Sequence, residues 1–220
     1  MISTAQSLTP ASQYPNVTFR SGKSESLDFL GDGSVDMVVA GQAAHWFDYA
    51  TLWPEMQRVL RPGGTLAFWG YDIPVFPAHP AATEILHRCA YGDDPDALGP
   101  YWAQPGSGIA RNLYRAVVPP AREWEVRRLE YEPGLEGPGT GRGEARGFLE
   151  KRMRVGDVKD FARTWSAWHG WREAHREQRT RGEGGGGDVV DRAFDEMGWE
   201  SEEVVVDVEW GIGLVLARRR

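Results

Sequence analysis

Apolar and polar positions follow two different periods along the first third of the chain. Val35-Asp36-Met37-Val38-Val39-Ala40 is a near-continuous apolar run behind the turn Gly31-Asp32-Gly33-Ser34. It reads as a strand buried on both faces, as in a parallel sheet covered by helices. Over residues 49–61 the period lengthens: Leu52, Met56, Val59 and Leu60 recur on one helical face behind Asp48, a good N-cap. Pro62-Gly63-Gly64 stops that helix, and Thr65-Leu66-Ala67-Phe68-Trp69 begins another strand. Strand, helix and strand with short links form a βαβ unit, whose crossover is expected to be right-handed. A shorter strand is expected at Val17-Thr18-Phe19, after the turn Pro15-Asn16.

Further along, Ala81 to Ala90 patterns as a helix with Ile85, Leu86 and Cys89 inward, and residues 91–112 are irregular and Gly/Pro-punctuated. Trp124 to Tyr131 alternates as a strand. Residues 133–147 hold six glycines and two prolines and are expected to be a loop. Val158, Phe161, Trp165, Trp168 and Trp171, at intervals of three and four, predict one helix from Asp157 to about Arg176. The glycine-rich stretch 179–187 reads as a second loop, mobile by its composition. Asp188 then caps a helix with Val190, Phe194 and Met197 inside and Gly198 just past its end. Val204, Val206, Val208 and Trp210 alternate with acids, and Ile212 to Ala217 returns, which predicts a C-terminal β-hairpin.

Composition narrows the class. The chain has 220 residues, 41% hydrophobic and 26% charged, the balance of one soluble domain. Its 27 glycines and 14 prolines imply long loops, and its 10 tryptophans imply broad aromatic contacts in a core or pocket. Cys89 is the single cysteine, which excludes a disulfide scaffold, and no apolar run reaches the ~18–20 residues of a membrane span. A net charge of −7 disfavours nucleic acid or an anionic membrane as partner. With no evident signal peptide, the expected place is the cytoplasm. His45, His79, His87 and Cys89 match no standard zinc spacing, so no metal site is expected. Glu136-Gly137-Pro138-Gly139-Thr140-Gly141 imitates a nucleotide-binding glycine turn but lacks a strand before it.

Four motifs in order carry a resemblance. They are Ser21-Gly22-Lys23-Ser24-Glu25-Ser26-Leu27, Gly33-Ser34-Val35-Asp36-Met37-Val38-Val39, Gln42-Ala43-Ala44-His45-Trp46-Phe47 and Arg58-Val59-Leu60-Arg61-Pro62-Gly63-Gly64. Together they resemble class I S-adenosylmethionine-dependent methyltransferases of the small-molecule type 11 kind. The Ala-His-Trp-Phe turn, paired with Thr164-Trp165-Ser166-Ala167-Trp168-His169 and the ending Leu214 to Arg220, is similar to the trans-aconitate methyltransferase-like group. The resemblance implies a Rossmann-like α/β sheet in one domain, with the ligand beyond the carboxyl ends of the strands. It implies that Ser24 and Glu25 meet the adenine of S-adenosylmethionine, that Gly41, Gln42 and Ala43 face its methionine end, and that His45 and Trp46 lie beside the sulfonium. Trp69, Tyr71, Trp165 and His169 are implied as walls for a small acceptor, a carboxylate of the trans-aconitate type, whose methylation needs alignment rather than a base. No catalytic side chain is implied.

The resemblance also sets an expectation about what stands before Val17. The family pattern opens with a strand, a glycine-rich turn, a helix, a second strand and a ribose-binding acid, and Met1 to Ala5 resembles the helix that follows them. The chain is therefore expected to lack the first strand–helix–strand unit, with Met1 an internal methionine of a longer parent. The alternative is a remnant that no longer catalyses and acts only as a binding or regulatory protein. A nicotinamide-dependent Rossmann enzyme ranks third, because its glycine fingerprint is missing and the His45-Trp46 turn does not favour it.

Overall fold

The computed structural model describes residues 2–133 and 148–220. Helix α1 (Ile2–Leu8) leads through irregular chain into strand β1 (Val35–Gly41), and α2 (Tyr49–Val59) carries it on to β2 (Leu60–Val75). β1 and β2 pair in parallel, from Met37 opposite Thr65 to Gly41 opposite Trp69, which is the expected βαβ unit. Asp48 caps α2 by accepting from the Ala50 N–H, and Leu52, Met56 and Val59 are buried. Next come α3 (Pro80–Tyr91), α4 (Gly106–Arg111), β3 (Trp124–Tyr131), β4 (Glu150–Arg154), α5 (Val155–Arg163), α6 (Ser166–Ala174), α7 (Val189–Met197) and β5 (Val205–Arg219). Strand order is β1-β2-β5-β3, and β4 lies beside the first part of β5. β5 runs antiparallel to β2, β3 and β4. The architecture is the mixed α/β sheet that the pattern predicts, closed by antiparallel pairing.

Several elements differ from expectation. The C-terminus is one strand of 15 residues instead of a hairpin. Gly211 and Gly213 sit inside it, and a Cβ on Gly213 would lie 2.1 Å from the Leu113 carbonyl oxygen, so close packing explains that glycine where a turn was expected. Val17-Thr18-Phe19 forms no strand; the Val17 N–H bonds back to the Tyr14 carbonyl, and no described strand lies beside it. β1 is covered on one face only, with Met37 and Val39 each 57% exposed. The single helix expected over 157–176 is two, broken at Thr164 and Trp165, where Trp165 takes an extended conformation. The 179–187 stretch is organised by a 3-10 turn, Arg181–Glu183, with a reciprocal Thr180/Glu183 capping box. Most of the 133–147 loop, and the Glu136–Gly141 imitation, fall outside the described residues.

Two apolar clusters lie along the long strands β2 and β5. One packs α2 onto Leu66, Phe68, Val215, Ala217 and Trp124. The other packs α3, α5, α6 and α7 around Ile73, Phe76, Val206, Val208 and Trp210. The tryptophan stripe belongs to this second core, with Trp168 and Trp171 buried. Cys89 is buried there as well, its thiol pushed up to about 12 mainly by burial, as suits an inert thiol. Among the described residues, no helix is long and apolar enough to cross a membrane.

Candidate active site

The site begins where β1 ends. Gly41 faces Trp69 on β2 so closely that a Cβ would lie 2.5 Å from the indole ring. Gln42 follows with φ 48°, a left-handed conformation that a side chain disfavours. Its amide compensates by clasping β2: Nε2 donates to the Tyr71 carbonyl at 2.9 Å, and Oε1 accepts from the Tyr71 N–H at 3.3 Å. The Gln42 backbone N–H also donates to the Trp69 carbonyl at 2.9 Å. A 3-10 turn, Ala44–Trp46, then lifts His45 and Trp46 over the carboxyl ends of the strands. His45 Nδ1 lies 2.8 Å from the Tyr114 hydroxyl, and burial lowers the His45 pKa, so the ring is neutral near pH 7. Trp46 rests on Gly106, where a Cβ would lie 2.7 Å from its ring, yet 56% of Trp46 remains exposed.

The break between α5 and α6 supplies the opposite wall. Thr164 ends α5, its hydroxyl donating to the Phe161 carbonyl at 2.6 Å, and the turn brings Phe161, Thr164, Trp165 and Ser166 to the same opening. Trp102 stands between the walls, its ring 6.0 Å from both Tyr91 and Trp165 and its indole N–H donating to the Ala90 carbonyl at 2.7 Å. Together these surfaces enclose a cavity of about 320 Å³.

Polar groups enter this aromatic space from β2, α3 and α4. Asp72 Oδ1 accepts from the Ile73 N–H at 2.8 Å and from the Tyr91 hydroxyl, while Oδ2 has no hydrogen-bond partner among the described residues. Burial raises the Asp72 pKa, against the Tyr91 and Ile73 hydrogen bonds and the nearby His87 and Arg111. The Arg111 guanidinium lies 4.0 Å over the Tyr91 ring. Ser107 Oγ is buried and unpartnered among the described residues. Asp72, Ser107 and Arg111 all border the cavity.

Of the residues implied by resemblance, Gln42, His45, Trp46, Tyr71 and Trp165 border this one cavity. Gly41, Ala43 and Trp69 lie directly behind that wall without lining it. His169 is exposed, its ring 5.1 Å from Trp168, and does not border the cavity. Ser24 and Glu25 are also outside it, and the Glu25 carboxylate accepts from the Asp48 N–H at 3.0 Å at the start of α2. Sequence reasoning missed Asp72, Tyr91, Trp102, Ser107, Arg111 and Phe161. The signal for Asp72 was available: an acid next to Tyr71, just past the end of the β1–β2 pairing, on a carboxyl edge already expected to hold the ligand.

Comparison with known proteins bears on this geometry. Residues 1–68 match the methyltransferase-domain family. Over 213 residues the chain is 26% identical to the probable S-adenosylmethionine-dependent methyltransferase CRG1 of Saccharomyces cerevisiae, spanning 93% of this chain and 69% of that protein. It is 28% identical over 163 residues to a Dictyostelium discoideum protein named as a methyltransferase, covering 72% of this chain and 51% of that one. A solved structure from Anaeromyxobacter dehalogenans, assigned as a type II methyltransferase, superposes with a TM-score of 0.64 at 25% identity, over 93% of this chain and 72% of that one. In fold and over part of its sequence the chain is thus similar to Rossmann-like methyltransferases, of which the yeast relative is named for dependence on S-adenosylmethionine.

Proposed function

We propose that the chain transfers a methyl group from S-adenosylmethionine to a small acceptor bound in the 320 Å³ cavity. One observation carries this reading: the 42–46 turn and the α5–α6 break, over a hundred residues apart in sequence, wall the same aromatic space. The donor set fits the sulfonium end of the cofactor. The open face of Trp46 attracts a cation, and neutral His45 adds no repelling charge. The buried, unpartnered Ser107 hydroxyl marks a polar contact waiting for a ligand. In this reading the backbone of Gly41, Gln42 and Ala43 holds the methionine end, with Ser24 and Glu25 beyond it on the adenine side. Tyr71 and Trp165 face the acceptor, with Trp69 and His169 behind them.

The resemblance to trans-aconitate methyltransferases supports a small acid as acceptor, and Arg111 on the cavity wall supplies a cation for its carboxylate. Methylation of that carboxylate would require alignment and exclusion of water, and no base. The test is calorimetry of the purified chain with S-adenosylmethionine, followed by methyl transfer to trans-aconitate and other small acids. Micromolar binding with turnover is expected. No binding at millimolar cofactor would replace this reading with that of a non-catalytic binding protein.

A further inference from the structure

Among the described residues Asp72 is the one acid bordering the cavity, and the proposed function gives it no task. Its two oxygens are treated differently. Oδ1 is fixed by the Ile73 N–H and the Tyr91 hydroxyl, which sets the orientation of the carboxylate, whereas Oδ2 accepts nothing from the described residues. A half-buried carboxylate oxygen without a donor, on a residue that borders a cavity, costs free energy unless a donor arrives with a ligand. An acceptor whose reacting atom is itself a carboxylate brings no such donor and adds a second negative charge. A hydroxyl brings a proton and no charge.

Charge movement in the reaction points the same way. When a neutral oxygen attacks the methyl carbon, positive charge passes from sulfur to that oxygen, and a carboxylate beside it stabilises the change. The walls around Asp72 are Tyr71, Tyr91, Trp102, Phe161 and Trp165, flat surfaces that suit a planar ring. Arg111, held over Tyr91 and free of a carboxylate ion pair among the described residues, can take an acid group on the same acceptor. We infer that Asp72 is the general base of the reaction and that the acceptor is a phenolic acid, methylated on its hydroxyl. This inference rests on the S-adenosylmethionine reading and moves the methyl-accepting atom from the acid's carboxylate to its hydroxyl. The hydroxyl oxygen forms a bond to the methyl carbon, and the carbon–sulfur bond breaks with its electron pair remaining on sulfur. The hydroxyl proton passes to Asp72 Oδ2 and later to solvent. The products are a methyl ether that keeps its carboxylate, the thioether form of the cofactor and a proton.

The experiment uses 4-hydroxybenzoate, benzoate and trans-aconitate as probes with the whole chain. Calorimetry is expected to show 4-hydroxybenzoate binding about tenfold tighter than benzoate, since a site built around a hydroxyl rejects an analogue lacking it. Asp72→Asn, which keeps an acceptor oxygen for Ile73 and Tyr91, is expected to abolish that preference and to lower kcat by about 10²–10³-fold without changing cofactor affinity. Asp72→Glu is expected to restore part of the rate. The product is expected to be the alkali-stable ether. An alkali-labile ester, an Asp72→Asn enzyme of undiminished kcat, or equal binding of the two benzoates without transfer would each overturn the inference. Methylation of trans-aconitate in those cases would leave the proposed function standing, whereas failure to bind S-adenosylmethionine would end both.

Discussion

At the scale of single residues, the site depends on glycines that let other groups come close: Gly41, Gly106 and Gly70. A Cβ on Gly70 would lie 2.1 Å from the Tyr114 ring and 2.6 Å from Gln42 Oε1. Tyr114 is the partner of His45, and Gln42 is the clasp that extends the β1–β2 pairing to Tyr71. One methyl group here therefore presses on both devices that shape the cavity wall. Gly70→Ala is expected to destabilise the fold by about 1–3 kcal/mol, in the range of overpacking, and to weaken cofactor binding more than Gly198→Ala, at a position that does not border the cavity. Urea denaturation and calorimetry check the two effects separately. The same residues show why the site was only partly legible. Gln42, His45 and Trp46 are consecutive or nearly so, and a local motif reveals them. Asp72, Ser107 and Arg111 come from a strand end and a short irregular helix, where no period or motif marks a functional group. Only tertiary folding brings them to one space.

At the scale of elements, α7 is tied to the rest of the second core through its cap. Asp188 accepts from the Asp191 N–H at 2.8 Å and returns the favour through its own N–H to Asp191 Oδ2 at 3.1 Å. The same Asp188 carboxylate receives Arg163 at 3.1 Å and the buried Trp168 indole N–H at 2.9 Å. Burial opposes the charge on Asp191, yet the Lys159 ammonium, backbone N–H groups and Arg163 hold its carboxyl well below the usual range. Asp188→Ala would remove the cap, leave the buried Trp168 indole N–H without its acceptor and leave Arg163 with Asp191 as its buried partner. The expected loss is about 3–5 kcal/mol, the range for breaking a buried pair by removing one partner, read as a lower urea midpoint. Asp188 and Gly198 were legible because capping chemistry is local. The break at Thr164 and Trp165 was not, because the apolar spacing of three and four continues across it; the chain bends there to place Trp165 between the core and the cavity. The straight course of β5 was hidden for a related reason, since Gly213 marks a close approach of Leu113 and looks in sequence like a turn.

At the scale of the whole molecule, the cavity is walled in part by the second apolar cluster, through Tyr71, Ile73, Tyr91, Trp102, Phe161 and Trp165. The first cluster is the less sheltered one. Among the described residues β1 pairs with β2 on one side only, and on its open face Met37 and Val39 stand exposed. An unpaired strand edge beside exposed apolar side chains is a template for association with other chains, and a net charge of −7 spread over 220 residues opposes it only weakly. The chain is therefore expected to self-associate as its concentration rises. Val39→Lys places a charge on that face at an exposed position, where the effect on folding stability stays within about 0.5 kcal/mol. Sedimentation velocity across a concentration series separates the alternatives: the parent chain is expected to shift to larger species and the variant to remain at one. An unchanged series for both would mean that the open face of β1 is inert. In that case the side chains that read as a doubly covered strand are simply tolerated at the surface.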